Sequence, residues 1–139
     1  MSIADSCPCG SGSAFTDCCG PIIGGSHRAD TAEMLMRSRY SAHVLGDVAY
    51  LRASWHSATR PAVVDIGEPV HWLGLKVVTT HDGGKTDSEG MVEFVARYKI
   101  AGRAFRLHEI SRFVREADRW TYFSGTPGRS DSRAKAAGH

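Results

Sequence analysis

The sequence predicts an α+β protein that opens with a small cysteine-rich element, and three observations carry that reading. All four cysteines fall in the stretch "CPCGSGSAFTDCC", residues 7–19. Apolar residues then recur at helical spacing through two stretches between residues 31 and 59. From His71 onward the pattern switches to alternation, in four stretches joined by short turns. Helices followed by a run of neighbouring strands is the α+β order.

The chain has 139 residues, enough for one domain with a real core. It is 42% hydrophobic and 23% charged, as ordinary globular proteins are. Its 17 basic and 15 acidic residues leave a formal charge of +2, which gives no footing for nucleic acid as a partner. No apolar run approaches the roughly 20 residues that cross a bilayer, so no membrane insertion is expected. The N-terminus lacks the basic start and apolar stretch of a secretory signal. The expected compartment is the reducing cytoplasm, where clustered cysteines bind metal more often than they form disulfides.

The cysteine spacing is C-x-C, eight residues, then C-C. Thiolates at Cys7, Cys9, Cys18 and Cys19 can surround one zinc ion tetrahedrally, with Zn–S distances of about 2.3 Å. Four cysteines leave no position for water, so the expected role is one structural zinc ion. Gly10 and Gly12 can supply positive φ between the pairs, and Phe15 is placed to cover one side. Disulfides within either pair would be strained, whereas cross-paired ones fit in an oxidising setting. A redox dithiol lacks the usual C-x-x-C spacing. The element is too small to fold by burial alone, so metal would supply its folding free energy. "PIIGGSH" (21–27) reads as a linker whose Gly24-Gly25 separates the element's core from the main domain, so chelation would unfold residues 5–21 alone.

The main domain begins with a helix from about Thr31 to Leu45, opened by Asp30 and Glu33 in the manner of a capping box. Leu35, Met36, Tyr40 and Val44 form its apolar stripe, and Gly46 stops it. Asp47 caps a second helix bearing Val48, Leu51 and Trp55, which "TRP" (59–61) ends. After a proline-containing connection (61–69), strands are expected at 71–81, 91–100, 103–115 and 120–124. Two-residue turns at Ala101-Gly102 and Ala117-Asp118 make an antiparallel meander with Phe94 opposite Glu109 and Phe113 opposite Tyr122. One face then carries Val92, Phe94, Ala96, Tyr98, Phe105, Leu107, Phe113, Trp120 and Tyr122, together with Glu109 and Ser111. Glu93, Arg97, Arg106, His108 and Arg112 take the wetter face. The small, polar stretch 125–139 reads as a disordered tail. The expected units are thus 1–24, 25–124 and the tail.

A carboxylate on an apolar face must be paired or line a pocket. Glu109 is therefore either a structural partner of Arg37 or Arg39, or the acid or base of a pocket with Tyr40, Trp55 and His56 nearby. Trp55 alone reads as core packing and His56 as a surface or capping histidine. Arg37 and Arg39 read as a solvated helix face or as an anion clamp. The seven histidines are too dispersed to mark a catalytic metal.

Cys7, Cys9, Gly10, Ser11, Gly12, Phe15, Cys18, Cys19 and Gly20 together resemble the SEC-C motif, the zinc-binding element at the C-terminus of the SecA preprotein translocase. The family's lysines around the aromatic residue are replaced here by Ser13, Ala14, Thr16 and Asp17. Residues 1–27 hold two aspartates and no Lys or Arg. Joined to that motif, "LMRSRYSA" (35–42), "SWHSATRP" (54–61), "FVARY" (94–98) and "HEISRF" (108–113) resemble the YchJ-type family of uncharacterised bacterial proteins. The resemblance implies a zinc element attached to a nuclear transport factor 2-like cone, with helices leaning on a curved antiparallel sheet. It brings no established reaction. The leading expectation is a zinc-binding accessory protein whose zinc element docks a protein partner, the cone holding a second interaction or ligand site. The competing expectation is a small-molecule enzyme or ligand binder with a cone pocket centred on Glu109.

Overall fold

A computed structural model describes residues 6–65, 67 and 70–128. A 3-10 turn, Phe15–Asp17, precedes helices α1 (Cys19–Gly24), α2 (Ala32–Leu45) and α3 (Val48–Ala53). Strands β1 (His71–Asp82), β2 (Glu89–Ile100), β3 (Arg103–Glu116) and β4 (Arg119–Pro127) follow. They form one antiparallel meander in the order β1-β2-β3-β4.

The two tight turns set the sheet. Ala101 and Gly102 (φ 50° and 79°) and Ala117 and Asp118 (φ 52° and 65°) occupy the left-handed region at both central positions, as a type I′ hairpin requires. Phe94 lies opposite Glu109 and Phe113 opposite Tyr122, as expected. Beyond Tyr122 the register shifts at a bulge between Arg112 and Phe113. Two more irregularities interrupt β1, and such bulges bend and twist the sheet. Val92, Phe94, Ala96, Tyr98, Glu109, Ser111, Phe113 and Trp120 are all buried on the expected face.

Helix α2 lies on that face, with Leu35, Met36 and Tyr40 in the same cluster as Val92, Phe94, Ala96, Phe113 and Trp120. Its cap is Thr31 rather than Asp30: Thr31 Oγ1 accepts from the Met34 amide at 3.1 Å. The Asp30 carbonyl accepts instead from Trp120 Nε1 at 3.2 Å, which ties the helix start to β4. Val44 leaves the expected stripe and is exposed, because His43 is the residue that meets Trp72 after Tyr40.

Three other boundaries differ from expectation. Helix α3 ends at Ala53, before Trp55 and well before "TRP", because the chain leaves it to pair with β4. Tyr122 donates its amide to the Ser54 carbonyl, and His56 donates to that of Tyr122, both at 2.8 Å. The expected linker is partly helical: Pro21, Ile22, Ile23 and Gly24 complete α1, and Gly25 (φ 88°) caps it. Gly125, Thr126 and Pro127 extend β4 against Ser111, Ile110 and Glu109 rather than beginning a tail. Residues 129–139 of that expected tail lie outside the described residues, as do 66, 68 and 69 of the connection.

The start of α2 meets the turn that joins β1 to β2, where Ala32 donates to the Gly83 carbonyl at 2.9 Å. A Cβ on Gly90 would overlap the Gly83 Cα and lie 2.7 Å from its nitrogen and 3.3 Å from Ala32 Cβ. Backbone on backbone cannot yield as a side chain does, so Gly90→Ala is expected to cost roughly 2–3 kcal/mol in denaturant unfolding. Gly74→Ala, whose Cβ would meet nothing within 4 Å, is expected to stay within about 0.5 kcal/mol of the parent. Equal stabilities for the two variants would contradict this packing.

Candidate metal centre

Two short backbone devices bring the cysteine pairs together. Cys7 donates its amide to the Ser13 carbonyl at 2.8 Å, and Gly10 donates back to the Cys7 carbonyl at 3.2 Å. The loop turns at Gly10 (φ 80°), where a Cβ would stand 3.2 Å from the Leu75 carbonyl of β1. The 3-10 turn then delivers Cys18, whose amide bonds the Phe15 carbonyl at 3.1 Å, and Cys19 opens α1. Gly20 is needed because Phe15 lies on it: a Cβ there would sit 2.8 Å from the Phe15 carbonyl oxygen and 3.1 Å from its ring.

The four sulfurs lie within 4.8 Å of one another, and all four cysteines are buried. The Cys9 and Cys18 sulfurs are 3.6 Å apart, far beyond the ~2.05 Å of a disulfide. A tetrahedron with metal–sulfur bonds of about 2.3 Å has edges of about 3.8 Å, so the donor set fits one thiophilic ion. The cysteines are free thiols. A hydrogen bond from Cys19 pulls Cys9 well below the usual thiol range, and the same bond, with burial, pushes Cys19 up. Burial also pushes Cys18 up. One thiolate is accommodated readily, whereas a full set of four calls for a cation among them.

Groups outside the ligand set hold it in place. Ser11 Oγ lies 3.1 Å from the Cys18 sulfur. From α2, Ser41 Oγ lies 3.5 Å from the Cys7 sulfur, and Arg37 donates to the Cys9 carbonyl at 2.7 Å. Arg37 also pairs with Glu33 at 3.0 Å. Burial works against the Arg37 charge, but its bonds to Glu33 and Cys9 outweigh burial and raise its pKa. The four cysteines belong to one buried cluster with Leu35, Met36 and Tyr40, so Gly24-Gly25 does not divide two cores. Residues 37 and 41 escaped the sequence reading as neighbours of the cysteines. Their only signal was a polar row at every fourth residue, Glu33, Arg37 and Ser41, which places them on one helix face.

The other site residues divide among three places. Arg37 joins the cysteines, bonded to the Cys9 carbonyl and to Glu33, while Arg39 bonds Leu51 and Ser54. Tyr40 packs edge-on against Trp72 at 5.5 Å, and burial pushes its phenol up to about 12. His56 rests on Phe123 and accepts from the Ala58 amide through Nδ1 at 3.0 Å, within the turn that follows α3. Arg39, Trp55 and Glu109 do come together, beneath β4. Arg39 is 8% exposed and donates to the Leu51 carbonyl at 2.8 Å and to Ser54 Oγ at 2.7 Å. Its guanidinium lies 5.2 Å from the Trp55 ring and 4.6 Å from that of Tyr122. Burial lowers its pKa to about 10, so it stays charged at neutral pH, with the fields of Tyr122, Tyr50 and Glu109 opposing the loss.

Glu109 is 7% exposed and accepts from Ser111 Oγ at 2.5 Å. Gly125 makes room for it, since a Cβ there would overlap the carboxylate. A concavity of about 570 Å³ lies on the opposite face of the sheet, among Lys76, Val95, Arg97, Arg106 and His108. The field of Glu109 adds to those of Tyr122 and Tyr50 in favouring charge on the buried guanidinium. Glu109→Gln is expected to lower stability by about 1 kcal/mol, because a field that favours the Arg39 charge is lost while the guanidinium keeps its Leu51 and Ser54 partners. Denaturant unfolding of the metal-loaded variant checks this; unchanged or increased stability would favour a functional pocket group instead.

Comparison with known proteins agrees with this architecture. Residues 31–125 match the YchJ middle NTF2-like domain, and residues 4–21 match the SEC-C motif. A UPF0225 protein of Chromobacterium violaceum is 50% identical over 123 residues, covering 86% of this chain and 90% of the relative. One from Cupriavidus metallidurans is 50% identical over 125 residues, covering 86% of each. Among solved structures, a SEC-C motif containing protein from Rhodopseudomonas palustris aligns with a TM-score of 0.76 and 32% identity over 88% of this chain and 98% of that one. Another, from Psychrobacter arcticus, aligns with a TM-score of 0.72 and 28% identity over 95% of this chain and 88% of that one. The chain belongs to the UPF0225 family, with a SEC-C motif followed by a YchJ-like middle NTF2-like domain.

Proposed function

We propose that this chain is a cytoplasmic zinc-binding accessory protein, its SEC-C element a structural zinc handle for a protein partner and its NTF2-like domain a second interaction site. The observation that carries the reading is the set of four buried sulfurs within 4.8 Å of one another. Cys7, Cys9, Cys18 and Cys19 would hold the ion. Bound there, zinc neutralises sulfur charge and fixes a short segment that cannot fold by burial alone. A four-sulfur set offers no position at which a substrate could be activated, which favours structure over catalysis.

Charge shapes the choice of partner. Two aspartates and four thiolates against one divalent ion leave residues 1–27 at a formal −4, with no Lys or Arg. Gly10, Ser11, Gly12, Ser13, Thr16 and Asp17 are exposed, so the outward surface is small and polar. Such a surface suits a protein partner better than a phosphate backbone, whose binding would need counter-charges. No helix among the described residues is long and apolar enough to cross a membrane.

Protein purified under reducing conditions is expected to carry one zinc ion per chain by elemental analysis. Cys9→Ser or Cys18→Ser is expected to lose stoichiometric zinc. A zinc content near zero in the fully reduced parent would remove the reading.

A further inference from the structure

Helix α2 carries two buried serines, Ser38 and Ser41, both 0% exposed, and they are employed differently. A serine inside a helix commonly returns its hydroxyl to a carbonyl of the preceding turn. Ser38 does so, bonding the Leu35 carbonyl at 2.7 Å and the Tyr50 hydroxyl at 2.6 Å. Ser41 turns its hydroxyl to the cysteines, 3.5 Å from the Cys7 sulfur. One helical turn earlier, Arg37 reaches the carbonyl of Cys9 at 2.7 Å, with Glu33 holding its guanidinium from behind at 3.0 Å.

We infer that α2 of the NTF2-like domain is part of the metal centre: Ser41 and Arg37 are positioning residues that orient Cys7 and Cys9 and set the affinity for zinc. The inference rests on the zinc reading above. A hydroxyl that donates to a coordinated thiolate drains charge from the sulfur and fixes its direction. A guanidinium locked on the Cys9 carbonyl holds the C-x-C loop in the bend that aims both its sulfurs inward. Groups of this kind, once removed, typically cost 10–100-fold in metal affinity although no metal ligand is lost. The SEC-C element here is therefore not autonomous, since two groups that shape its site arrive from a helix in the next domain. Zinc occupancy and the seating of α2 on the sheet become linked, each favouring the other.

The test measures zinc affinity of the full chain by competition with a chromophoric chelator, alongside the absorption spectrum of the cobalt-substituted protein. Ser41→Ala and Arg37→Met are each expected to weaken zinc binding at least tenfold, and Ser41→Ala to shift the sulfur-to-cobalt charge-transfer band. Ser38→Ala serves as the structural control, expected to lose stability while keeping the parent's affinity and spectrum. Arg37→Lys, which retains a donor for the Cys9 carbonyl, is expected to recover most of what Arg37→Met loses. Should Ser41→Ala destabilise the apo chain too far, the same variant measured at saturating cobalt, which favours the folded state, reads the spectral band. Parental affinity and spectrum in Ser41→Ala would overturn the inference while leaving the zinc reading intact. A parent that binds no zinc would instead remove the reading itself.

Discussion

Four sulfurs gathered inside the protein are an unfavourable arrangement until something offsets them, and much of the fold is organised around that demand. Thiolates held within 4.8 Å of one another repel, and burial strengthens the repulsion. The chain answers with a loop that folds back on Cys7, a glycine at position 20 that lets Phe15 close in, and a helix that brings Arg37 and Ser41 alongside. A bound cation would complete the balance. The sulfurs also form one end of the main apolar cluster, against Leu35, Met36 and Tyr40. Ligand positions and core packing are thus fixed together.

Helix α2 is the element through which the parts communicate. Arg37 and Ser41 face the cysteines, Leu35 and Met36 face the sheet, and Arg39 points towards α3 and β4. Its second polar centre is arranged on different terms. Arg39 is clasped by a carbonyl, a serine and two aromatic rings, and the field of Glu109 favours its charge. The contacts of Arg39 with Leu51, Ser54, Trp55 and Tyr122 tie α2 to α3 and to β4.

The sheet and the cysteine set were legible because each rests on a local rule. Alternation of apolar residues with two tight turns fixes which residues share a face, so Glu109 and Ser111 could be placed inward from the chain alone. Clustered cysteines name their own chemistry. What escaped depended on contacts between distant segments. Helix α3 stops early because the backbone at Ser54 and His56 pairs with Tyr122, some seventy residues away in sequence. The apparent linker is helical because Ile23 packs against the shared core. The pocket expected around Glu109 assumed that Tyr40, Trp55, His56, Arg37 and Arg39 converge, whereas helical geometry turns Arg37 and Arg39 to opposite sides of α2.

The cysteine element and the NTF2-like domain share one core, and amide hydrogen exchange before and after metal chelation would report it. Shared packing requires that protection in α2 and in the Val92–Ala96 segment of β2 fall together with that of residues 7–24. Loss confined to residues 7–24, with α2 and β2 exchanging as slowly as before, would contradict it and restore the picture of two independent units joined at Gly24-Gly25.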